Sequence, residues 1–175
     1  MSAQLKPALS EKDHIRGSKK PQLTIVEYGD FQCPYCGDAE PIVEEIMDQF
    51  GEAIAFSFRN FPLKDVHEFA FDAAIAAEAA SQQGKYWEMH DLLFANQSRL
   101  DRDSLLNMAE KIGLDLQRFK NAVQDEKLTE KIESDFESGA RSGVNGTPTF
   151  FVNGARFDGG AADLYALIKE NTGLG

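Results

Sequence analysis

Leu23-Thr24-Ile25-Val26-Glu27-Tyr28-Gly29-Asp30-Phe31-Gln32-Cys33-Pro34-Tyr35-Cys36 is the stretch that decides how this chain is read. Its first half is apolar and β-branched, and it closes on Gly29-Asp30, a turn signal, so a strand is expected over about 22–28. Beyond the cysteines, Ile42, Ile46, Met47 and Phe50 recur at helical spacing with carboxylates opposite, which predicts a helix over about 34–50. Pro34 suits the first helical position, where a missing N–H costs nothing. Cys33 therefore falls where a strand hands over to a helix N-terminus. Free backbone N–H groups and the helix dipole favour an anion there, and so a thiolate.

Cys33 and Cys36 are the only cysteines among 175 residues. A structural zinc site needs about four Cys or His ligands. Only His14, His67 and His90 remain, scattered, with no second C-x-x-C, so no metal is expected. A purely structural disulfide over so short a loop would constrain the unfolded chain little. Inert core cysteines would not need this pairing at a helix tip. A reactive dithiol is the better reading. Cys33 is expected to be exposed and to attack; Cys36, inside the first turn, is expected to be shielded and to resolve the mixed disulfide.

A second signal lies downstream, in Asn145-Gly146-Thr147-Pro148-Thr149-Phe150-Phe151-Val152-Asn153-Gly154. It reads as a loop, a strand and an Asn-Gly hairpin turn, with Ala155-Arg156-Phe157 as the partner strand. A proline opening a strand is either an edge residue or a cis-proline placed for a purpose.

On these residues the chain resembles the DsbA-type thiol–disulfide oxidoreductases of the thioredoxin superfamily. The matching segments are Val26 to Cys36, Gln83-Gly84-Lys85-Tyr86-Trp87-Glu88-Met89-His90-Asp91, and Gly146-Thr147-Pro148-Thr149-Phe150, in the family's order. The resemblance runs from about Asp13 to the C-terminus. It implies an α/β thioredoxin-like fold, a central mixed sheet flanked by helices, with an inserted α-helical block. It also implies Cys33 as attacking thiol, Pro148 in cis beside it, and Glu27 in the place of a partly buried acid that exchanges a proton with Cys36. Pro34 and Tyr35 would border the substrate, and Thr147 would offer its backbone to an extended substrate segment. One departure is Pro34-Tyr35 in place of the Pro-His of the family's strongest oxidants.

That departure, with Asp30, Asp38 and Glu40 near the dithiol, limits thiolate stabilisation. The expected Cys33 pKa is roughly 5–7 and the potential about −170 to −250 mV. Asp30 reads as a turn residue, Tyr35 as surface, His90 and Trp87 as packing residues, and His14 and His67 as surface positions.

The length suits one domain over residues 21–175, preceded by a loosely ordered lead-in over 1–20. Ala53 to Phe61 reads as a second parallel strand, broken by Pro62. A helical insertion is expected over about 64–142. Within it Phe69, Ala73, Ala76, Ala77 and Ala80 form a close-packing face, and Asp101 and Asp115 are candidate N-caps. A last helix is expected from Ala161 to Thr172.

The charge balance, 18 basic against 29 acidic residues for a net −11, leaves no basic stripe for nucleic acid and disfavours anionic membranes. No run of about 18 apolar residues predicts a membrane span. The first residues lack the apolar core of a secretory leader. With Met1 as natural start, the expected compartment is the cytoplasm; a leader removed ahead of it would place the protein in the periplasm or outside.

The function expected is disulfide exchange with protein substrates, glutathione or another small thiol, with no cofactor beyond the Cys33/Cys36 pair. The rivals are a kappa-type glutathione-conjugating or isomerase enzyme, against which Cys36 argues, and a non-catalytic docking module.

Overall fold

The computed structural model describes residues 2–171. Strand β1 (Ile15–Gly17) is followed by β2 (Leu23–Gly29), α1 (Pro34–Phe50) and β3 (Ile54–Asn60). Helices α2 (Ala70–Ser81), α3 (Tyr86–Ala95), α4 (Arg102–Lys111), α5 (Leu116–Ala122) and α6 (Glu126–Arg141) make up the insertion. The hairpin β4 (Thr149–Val152) and β5 (Ala155–Phe157) and helix α7 (Ala161–Asn171) complete the chain; Thr172, the expected end of the last helix, lies outside the described residues.

The sheet order is β1-β3-β2-β4-β5. Strands β2 and β3 are parallel, joined across α1, and the other pairings are antiparallel. This is a thioredoxin-like fold with an inserted helical block. Both inner strands are buried on both faces, which is why they read as nearly unbroken apolar runs. Along β2, Leu23 and Ile25 join the larger core with α1, α7 and the insertion, while Val26 and Tyr28 join a smaller core with Phe61, Val144 and Phe151. The two-residue period of a strand therefore puts Glu27 on the α1 side, with Ile25.

The insertion packs on the sheet through α6 against β3, and through α2 against α3, α4, α5 and α6. The alanine face expected on α2 extends round the whole helix, since Ala74, Ile75 and Ala79 are buried as well. Packed against four others, the helix is buried from Ala73 to Ala80 and keeps only Asp72 exposed, and alanines let its neighbours approach. Gly139 serves the same purpose on α6: a Cβ there would sit about 2.8 Å from the Phe61 ring. Asp101 and Asp115 cap α4 and α5 by accepting the Ser104 and Arg118 N–H groups. Asn153-Gly154 turns the hairpin with positive φ at both residues, 49° and 82°.

The lead-in over residues 1–20 is not loose. Leu5 N–H donates to Gly154 O and Arg156 N–H to Ala3 O, both at 2.8 Å, and Leu5 is buried. Arg59 holds Asp13 through two hydrogen bonds (2.8 and 3.0 Å) and also donates to the carbonyls of Pro7 and Ala8. Strand β1 then pairs with β3. The buried guanidinium on β3 needs acceptors, and residues 7–13 supply them, which short-range composition does not reveal.

Candidate active site

Cys33 is the N-cap of α1, in extended conformation, and Pro34 opens the helix. The second structural signal comes to the same place: the Cys33 S–H donates to the Thr147 carbonyl at 3.6 Å, and the Thr147–Pro148 bond is cis. Residues 114 apart in sequence thus meet because β4 pairs with β2, whose C-terminal end leads to the dithiol.

The exposed attacking thiol expected from the helix tip is not found. Cys33 is 3% exposed and Cys36 fully buried. The Thr147–Pro148 loop lies against the sulfur from the side. What distinguishes the two thiols is electrostatic. Cys33 is held down to about 5: the Cys36 S–H donates to its sulfur, and the Thr147 side chain and the N–H groups of Cys36 and Tyr35 add to this against the opposing effect of burial. The Thr147 hydroxyl is buried and otherwise unpartnered, so it is free to serve the anion. Cys36 is pushed far up, because its proton is engaged by Cys33, because it is buried, and because Glu27 lies near. Both cysteines are free thiols here.

Glu27 is fully buried, and neither carboxyl oxygen has a hydrogen-bond partner among the described residues. Burial drives its pKa well up, and Glu40 and Cys33 push in the same direction. Glu40 was hidden in the sequence among the carboxylates assigned to the outer side of α1. In fact it lies on the buried face with Cys36 and Val43, four residues on from Cys36 and three before Val43. That spacing was the available signal. Burial pushes Glu40 up to about 8 despite Arg16, whose guanidinium lies 3.6 Å away. The two acids therefore hold protons next to the dithiol well above the ordinary carboxylate range.

His90 packs among Phe31, Phe58, Phe94 and Trp87, and burial takes it down to about 4, so it is neutral. Its Nδ1–H donates to Asp91 at 2.8 Å. Glu40, His90 and Asp91 converge closely enough to ligate a cation. Arg16 already occupies that role, donating to Asp91 at 3.0 Å, so the donor set does not fit a metal.

Tyr35 is 73% exposed, a surface residue at the rim of the site. Further residues differ from the sequence reading. Asp30 opens the turn into the dithiol as expected, its carbonyl accepting the Cys33 N–H at 3.1 Å, but its carboxylate is also a buried acceptor, and His67 and His14 are half-buried rather than surface positions: His67 bonds Asp30 at 2.8 Å, while His14 bonds Glu78 at 2.8 Å and stacks on Tyr86. Gln97, just after α3, donates from Nε2 to the carbonyls of Phe31 and Cys33, both at 2.9 Å. No local signal marks Gln97, because its partners lie more than sixty residues away. Gly37 leaves room for it, since a Cβ there would collide with the Gln97 amide.

Among the described residues three sizeable cavities are lined by neither cysteine, one of about 600 Å³ lying between β1 and the C-terminal half of α1. Of the other two, one of about 630 Å³ lies among α2, α4 and α5, and one of about 580 Å³ is lined by residues 62–66 and α6. Among the described residues no helix is long and apolar enough to cross a membrane.

The thioredoxin family profile matches residues 9–170. A thioredoxin-like oxidoreductase from Silicibacter pomeroyi superposes with a TM-score of 0.81 at 27% identity, covering 94% of each chain. The thiol-disulfide exchange protein alpha-DsbA2 from Wolbachia pipientis gives 0.82 over 95% of this chain and 89% of its own, at 23% identity, a likeness of fold alone. A curated relative, the Na(+)/H(+) antiporter NhaA 1 of Salinispora arenicola, is 49% identical over 153 residues. That match takes in 87% of this chain and 23% of the antiporter, so the chain spans about a quarter of that relative's length.

Proposed function

The chain belongs to the thioredoxin family, on its DsbA-like side, and from that premise we propose that it exchanges disulfides with protein or small-thiol substrates through Cys33 and Cys36. The observation that carries this reading is the geometry of the pair: Cys33 at the N-cap of α1 with its sulfur 3.6 Å from the Thr147 carbonyl, and Cys36 buried in the first turn, so that one hydrogen bond between them lowers Cys33 and raises Cys36.

In the reducing direction, the Cys33 thiolate attacks one sulfur of a substrate disulfide and the other leaves as a thiolate. Cys36 then gives up its proton and attacks Cys33, which releases the second substrate sulfur as a thiolate. The substrate gains two electrons and the pair becomes a disulfide. The oxidising direction reverses each step. Glu27, beside Cys36 and with both oxygens free of protein partners, supplies and accepts the Cys36 proton. The Thr147 backbone next to Pro148 is the edge on which an extended substrate segment docks.

The antiporter is matched over only 23% of its own length, so its ion exchange is not carried over to this chain.

The test is adduct mass spectrometry with insulin-reduction turnover. Cys36→Ser should accumulate mixed disulfides with substrate or glutathione, Cys33→Ser should form none, and both should lose turnover. Adducts on Cys33→Ser alone would reverse the roles, and wild-type protein without turnover would favour a docking module.

A further inference from the structure

Asp30 and His67 take no part in the electron transfer just described, yet the structure ties them to the attacking cysteine. Asp30 is 1% exposed, and its carboxylate accepts four hydrogen bonds. Oδ1 takes the N–H groups of Gln32 (2.7 Å) and Cys33 (3.1 Å). Oδ2 takes the Leu63 N–H (2.9 Å) and the Nδ1–H of His67 (2.8 Å). One buried carboxylate therefore joins the turn before the dithiol to the loop between β3 and α2. Three of its four donors are backbone; among the described residues His67 is its one side-chain donor.

Two physical effects meet at this carboxylate. The Cys33 N–H is shared between this carboxylate and the Asp30 backbone carbonyl, each at 3.1 Å, and together they fix the extended N-cap conformation, from which the sulfur reaches the N–H groups of Tyr35 and Cys36. A carboxylate three residues from a forming thiolate also opposes it, since like charges in a poorly solvated site repel strongly. A proton-bearing imidazole on Oδ2 draws that charge away from Cys33. The other ionisable groups bearing on the sulfur are Cys36 and Glu27.

We propose that His67 is a positioning residue for the attacking thiol, acting through Asp30: it orients the carboxylate that holds the Cys33 backbone and offsets its charge beside the thiolate. This rests on the dithiol reading above, in which Cys33 attacks.

The experiment follows thiolate absorbance and alkylation rate of the reduced protein against pH, without any substrate. His67→Ala should lower the thiolate-to-thiol ratio of Cys33 at fixed pH by roughly three- to tenfold, the latter being one pKa unit. His67→Asn, whose amide can stand where Nδ1–H stands, should recover part of the loss. In an Asp30→Asn background His67→Ala should change nothing further. Should the Ala variant fail to fold, His67→Phe fills the same volume without a donor and is measured in the same two backgrounds. Wild-type titration in the donor-less variant, or an equal shift with and without the Asp30 carboxylate, overturns the proposal. A wild-type Cys33 titrating near the free value of about 8.5 would instead overturn the dithiol reading and this proposal with it.

Discussion

Reduced protein should become more stable relative to its Cys33→Ser variant as the pH rises, and the structure fixes both the sign and the window. Cys33 ionises near about 5 in the fold and near about 8.5 in an unfolded chain. A group whose pKa is depressed by folding contributes fully above its unfolded value and loses that contribution as the pH falls through its folded value. At pH 7 the Cys33 pKa lies about two units below the pH, worth about 3 kcal/mol. The full separation above about 8.5 corresponds to about 5 kcal/mol. Solvent screening at the part-buried Cys33–Thr147 contact makes these upper values. Cys36 shifts upward, so it works in the opposite direction only above about 8.5 and leaves the window from 5 to 8 clean. Urea unfolding of the two reduced proteins between pH 4 and 8 gives the difference directly. It should be flat below about 5 and then climb by about 1.4 kcal/mol per pH unit. The same thiolate favours the dithiol over the disulfide, which at pH 7 makes the pair more oxidising by about 60 mV. A difference constant across the whole range would show that the fold does not stabilise the thiolate, and the electrostatic account of Cys33 would fall with it.

Glu27→Gln should slow dithiol exchange by roughly tenfold or more, as loss of a proton-transfer group does, while raising stability at pH 7 by about 1–3 kcal/mol. Its pKa is raised in the fold, so the acid works against folding once the pH passes its unfolded value; the gain should shrink toward pH 4. Equal exchange rates at every pH would leave Glu27 a structural residue. Gln97→Ala removes the donor to the Phe31 and Cys33 carbonyls and should cost about 1–3 kcal/mol in denaturant titrations. An unchanged midpoint would mean that water replaces the amide without loss.

Local pattern alone carried a good part of this protein. The β-branched run before Cys33, the helical spacing behind it and the Asn153-Gly154 turn are short-range features, and each element formed where its own residues demanded. Asp101 and Asp115 cap helices for the same reason, since a cap and the N–H that donates to it lie three residues apart. Glu27 stood out because a lone acid in an apolar strand is conspicuous. The lead-in misled for the opposite reason: its order comes from Arg59 and from the β4–β5 hairpin, neither of which is near it in sequence.

The rest belonged to tertiary structure. Whether Glu40 is inside or outside turns on the rotation of α1 against the sheet, which differs by about 100° between successive residues. Whether Cys33 is exposed turns on a loop more than a hundred residues away that lies against its sulfur. The bonds from Gln97, His67 and Arg16 each cross from the insertion, a loop or an edge strand to a partner that composition cannot name. Periodicity speaks of which face a residue turns to its own element. Only closure of the sheet decides what waits on that face, and the energy of a buried charge depends on that neighbour.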